Sequence, residues 1–94
     1  MILDLSLTNE HLYAGLDVQR DAGKLNLRTP IGTATAVMGE NLQQMDIDPE
    51  EVVLTGPMAI WAYLVVFHSI HGRTRRIYYQ DGVGNRILVA AHGG

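Results

Sequence analysis

The run Met58-Ala59-Ile60-Trp61-Ala62-Tyr63-Leu64-Val65-Val66-Phe67 puts ten residues without a charge into a chain of only 94. Wound into a helix, such a segment is apolar on every face, so none of its faces suits water. Another element or a second chain has to cover it. A bilayer does not fit, because a span takes about 20 apolar residues and this run ends at His68. A chain of this length buries roughly 64% of the surface that its unfolded form exposes, enough for one modest core. One domain over residues 1–94 is therefore expected, and an oligomer, most simply a homodimer.

The chain has no cysteine. Disulfide staples, thiolate nucleophiles and cysteine-held zinc or iron–sulfur centres are thereby excluded. A hydrophobic fraction of 47% with 18% charged residues is ordinary for a folded protein and too apolar for disorder. Met1-Ile2-Leu3-Asp4 places no basic region ahead of an apolar run, so no export signal is expected and the cytoplasm is the default location.

Periodicity gives the elements. Ile2–Leu7 alternates apolar and polar residues, which predicts a half-buried strand, and Leu12–Val18 reads as a second. Leu25-Asn26-Leu27 pairs back as a short third strand. Thr33–Met45 carries apolar residues at helical spacing. Val52-Val53-Leu54 is a short central strand, and a helix from Pro57 to His71 follows, with Gly72 just past its end. Arg76–Gln80 and Ile87–Ala91 form a closing hairpin around Asp81-Gly82-Val83-Gly84-Asn85. This order implies an α+β fold, a small mixed sheet with helices on one face.

Charge is divided unequally. Residues 1–51 carry nine acids and three bases, whereas residues 52–94 carry Arg73, Arg75, Arg76 and Arg86 against Asp81 alone, together with three of the four histidines. A basic, histidine-bearing half fits an anionic ligand, and equally a solvated basic strand. Three features bear chemistry. Thr55-Gly56 precedes a helix start, where free N–H groups favour anions; a tight turn explains it as well. His68 and His71 share the last turn of one helix, where the dipole favours a protonated ring; they also suit the end of a buried helix. Asp81 is a lone carboxylate among arginines, either a general base or metal ligand or the first residue of a turn. Histidine, aspartate, arginine and backbone donors in one site suit phosphodiester chemistry. Histidine protonates a leaving oxygen there, and aspartate orients a nucleophile or holds a divalent ion.

Val52-Val53-Leu54-Thr55-Gly56, Ile60-Trp61, His68, His71, Tyr79-Gln80-Asp81 and the final His92 together resemble the small ring nucleases of type III CRISPR systems, the third Csx group. The resemblance covers about residues 52–92. It implies a ferredoxin-related α+β fold, a homodimer, and manganese-assisted cleavage of the second messenger cyclic tetra-adenylate, with action on RNA 3′ ends in some members. Short RNA is the other expected partner, and DNA is not expected. The resemblance implies His71 and Asp81 as catalytic residues, with manganese at one or both. It implies ligand contacts from Thr55, Gly56, Trp61, His68 and His92, with Arg86 replacing an arginine that the family places nearer its aspartate. A basic residue common after the family's glycine is Pro57 here. A non-catalytic module that binds a cyclic oligonucleotide or RNA, and a plain oligomerisation domain, are the rival readings.

Overall fold

The computed structural model describes residues 1–92. Its elements are β1 (Ile2–Asp4), β2 (Val18–Asp21), β3 (Lys24–Leu27), α1 (Ile31–Gln44), β4 (Glu51–Thr55), α2 (Ile60–Ile70), β5 (Arg76–Gln80) and β6 (Arg86–Ala91). The main sheet has the order β1-β4-β5-β6, parallel from β1 through β5 and closed by the antiparallel β5–β6 hairpin. β2 and β3 form a separate hairpin. The expected class, a small mixed α+β sheet with two helices, is the one observed.

Leu3, Val52, Leu54 and Ile77 point to one side of the sheet and join Met38 and Leu42 of α1 and Ala62, Val66 and Ile70 of α2 in one core cluster. Both helices therefore lie on one face. On the other face, Ile2, Val53, Tyr78 and Leu88 line up across the four strands.

Two expectations about elements are corrected. Leu12–Val18 is not a strand: residues 10–15 wind through turns, and β2 begins only at Val18. Asn9 accepts the Leu12 N–H through its side chain, and Asn41 of α1 donates to the carbonyls of Leu12 and Ala14. These side chains satisfy backbone groups that a strand would have paired. Helix α2 starts at Ile60, behind an extended Ala59, and not at Pro57.

Candidate functional site

Parallel strands give the sheet two chemically distinct ends. At the carboxy ends of β1, β4 and β5, Asp4, Thr55, Gly56, Tyr79, Gln80 and Asp81 line a cleft of about 620 Å³. Thr55 Oγ1 donates to the Gln80 carbonyl at 2.9 Å, tying β4 to β5. Gly56 has φ 106°, and a Cβ there would lie 2.2 Å from Asp4 Oδ1. Only glycine fits, so the Thr55-Gly56 turn is demanded by the fold itself.

Asp81 organises the hairpin. Its Oδ1 accepts the N–H groups of Val83 at 3.0 Å and Asn85 at 2.9 Å, and its Oδ2 accepts Asn85 Nδ2 at 2.9 Å. The Asn85 side-chain bond, reinforced by backbone N–H groups, holds the carboxyl below its ordinary range. Asp81 is thus an ionised acceptor at neutral pH. Arg86 reaches back to the neighbouring strand, donating from Nε at 3.2 Å and Nη2 at 2.9 Å to Gln80 Oε1, and so stands beside the cleft.

The opposite end holds the histidines. His71 caps α2, donating its backbone N–H to Phe67. Its ring meets His92 edge-on, with centroids 4.4 Å apart, and Phe67 at 5.2 Å. His92 donates its backbone N–H to the Arg75 carbonyl, level with the start of β5. Beside it, a cavity of about 350 Å³ is lined by Pro49, Thr74, Arg75 and His92.

The expected site residues therefore divide into two groups. Thr55, Gly56, Asp81 and Arg86 gather at one end, and His71 and His92 at the other. β5 lies between them, so His71 and Asp81 of one chain are roughly 20 Å apart. They do not share a reacting group or an ion. Among the described residues no three His, Cys, Asp or Glu side chains cluster as metal ligands. His71 and Asp81 of one chain are accordingly too far apart to hold one manganese ion together.

His68 is exposed on the groove between α1 and α2, away from both groups. The ligand contact that the resemblance implies for it is therefore not shared with the Asp81 cleft. Trp61 packs against the core cluster instead of a ligand cleft. Arg73, expected to meet phosphate, donates to the Leu42 carbonyl at 2.7 Å and the Met45 carbonyl at 2.8 Å, capping α1. Sequence reasoning did not find Gln80, whose side chain aims Arg86, or Asp4, whose carboxylate lies against Gly56; alternation along the strands was the available signal. Comparison of the chain with protein-family models, with curated proteins and with solved structures finds no match.

Proposed function

We propose that this protein is a phosphodiesterase of the ring-nuclease kind, which binds cyclic tetra-adenylate in the cytoplasm as a homodimer and opens the ring, and which also accepts short RNA. The supporting observation is the hairpin that sets Arg86, aimed by Gln80, next to ionised Asp81 at the Thr55-Gly56 cleft. Arg86 makes a charge-assisted bond to a phosphate oxygen. Asp81 accepts a proton from, and so orients, the attacking hydroxyl. His71, protonated, gives its proton to the leaving oxygen. Because His71 and Asp81 lie at opposite ends of one chain, both act on one phosphodiester only where two copies meet. No helix among the described residues is long and apolar enough to cross a membrane, which agrees with a substrate dissolved in water.

One observation favours a second reading, a binding module without catalysis: both Asp81 oxygens already hold the turn. Labelled cyclic tetra-adenylate, incubated with and without manganese, separates the two. Linear product supports the phosphodiesterase, retention of intact ring supports the binding module, and neither outcome leaves only an oligomerisation domain.

A further inference from the structure

Asp81 is followed by Gly82, and no other aspartate or asparagine of the chain precedes a glycine. At such a pair the side-chain carboxyl and the next backbone nitrogen react most readily, because glycine has no side chain to shield its N–H. The Gly82 nitrogen attacks Asp81 Cγ and forms an N–Cγ bond, while the amide hydrogen and the hydroxyl of the protonated carboxyl leave together as water. The cyclic succinimide then takes water back. Attack at Cγ restores aspartate. Attack at the main-chain carbonyl carbon of Asp81 breaks that carbon's bond to the Gly82 nitrogen and leaves isoaspartate, whose main chain runs through Cβ and Cγ.

The folded hairpin opposes the first step. Asp81 Oδ1 accepts the N–H groups of Val83 at 3.0 Å and Asn85 at 2.9 Å, and Oδ2 accepts Asn85 Nδ2 at 2.9 Å. These bonds hold the plane of the carboxyl and occupy both oxygens, one of which has to depart. Each charge-assisted bond that must first break slows ring closure by about 10-fold or more. The protection is local, since residues 82–86 are all exposed, and such a turn opens without unfolding the core. Nor does the backbone require glycine at this place. Gly84 has φ 93°, but Gly82 lies outside the left-handed region, and a Cβ there would meet nothing within 4 Å.

We propose that Asp81-Gly82 is a site of spontaneous isoaspartate formation, which the folded hairpin holds shut and which opens when the Asn85 bonds are lost. The product adds one carbon to the main chain between Gln80 and Gly82 and turns Cγ into a backbone amide. The three bonds of the turn and the pairing of Gln80 with Arg86 are lost with it. Arg86 is then no longer aimed by the Gln80 side chain. None of this depends on what the cleft binds.

Isomerisation leaves the mass unchanged, so it is read by methyl labelling with an isoaspartyl methyltransferase and by fragmentation of the tryptic peptide of residues 77–86. The folded parent, aged in warm neutral buffer, should label at least about 10-fold more slowly than that peptide alone. The parent aged in concentrated urea should label at the peptide's rate. Asn85→Ala, aged without urea, should label well above the parent, and adding Gly82→Ala should return it to the slow rate. A folded parent that labels as fast as the peptide would overturn the proposal. So would an Asn85→Ala variant no faster than the parent, or labelling that Gly82→Ala leaves unchanged. If Asn85→Ala loses its fold, the comparison of parent with and without urea decides: equal rates overturn the protection.

Discussion

Two buried hydroxyls show how single residues are balanced in this fold. Tyr13, held in the core, donates its hydroxyl to the Leu5 carbonyl, and burial pushes its pKa far up, so it stays a neutral donor. Thr74 is also buried, yet its Oγ1 has no partner. Tyr13→Phe strands a buried carbonyl and should lower stability by ~1–3 kcal/mol. Thr74→Val removes an unsatisfied group of matching shape and should be neutral or stabilising by about 1 kcal/mol. Urea unfolding of the two variants checks both signs. Asp81 makes a pH prediction. Its folded pKa lies below that of the unfolded chain, so its contribution is complete above the ordinary aspartate range and is lost as pH falls through the depressed value. The amide resonances of Val83 and Asn85 should therefore titrate below the ordinary aspartate range; titration at or above it would contradict the assigned bonds.

Among elements, the junction of α1 with the loop after α2 depends on Arg73, which occupies two carbonyls at the end of α1. Arg73→Ala should cost ~1–3 kcal/mol of stability and leave the affinity for cyclic tetra-adenylate unchanged. Thermal unfolding and ligand titration of the same variant separate the two effects. The helices and the three carboxy-terminal strands were legible because their apolar residues repeat at one period and their ends carry glycine or proline. Leu12–Val18 misled because Leu12 and Tyr13 are buried by tertiary packing, and Asn41, far along the chain, supplies the hydrogen bonds. Alternation alone cannot distinguish that from a strand. The site residues were legible as residue types but not as a constellation. Whether His71 and Asp81 meet depends on strand direction and order, which only long-range pairing sets.

At the scale of the whole molecule, one topological fact bears on the proposed function: the cationic, histidine-bearing end and the Asp81 cleft are separated by the length of the sheet, and β6 runs between them as its edge strand among the described residues. The apolar run that constrained the sequence is only half covered, since α2 buries Ala62, Val66 and Ile70 while Ile60 and Leu64 stay exposed beside β6. Under the proposed function, a second copy answers both observations. The most direct test mixes two inactive variants, His71→Ala and Asp81→Ala, under conditions that let dimers exchange. If each site draws one residue from each copy, half of the dimers are mixed and each mixed dimer keeps one intact site. The mixture should then regain about a quarter of the parent's cleavage of cyclic tetra-adenylate. A mixture no more active than either variant alone, beside a parent that cleaves, would contradict the shared site.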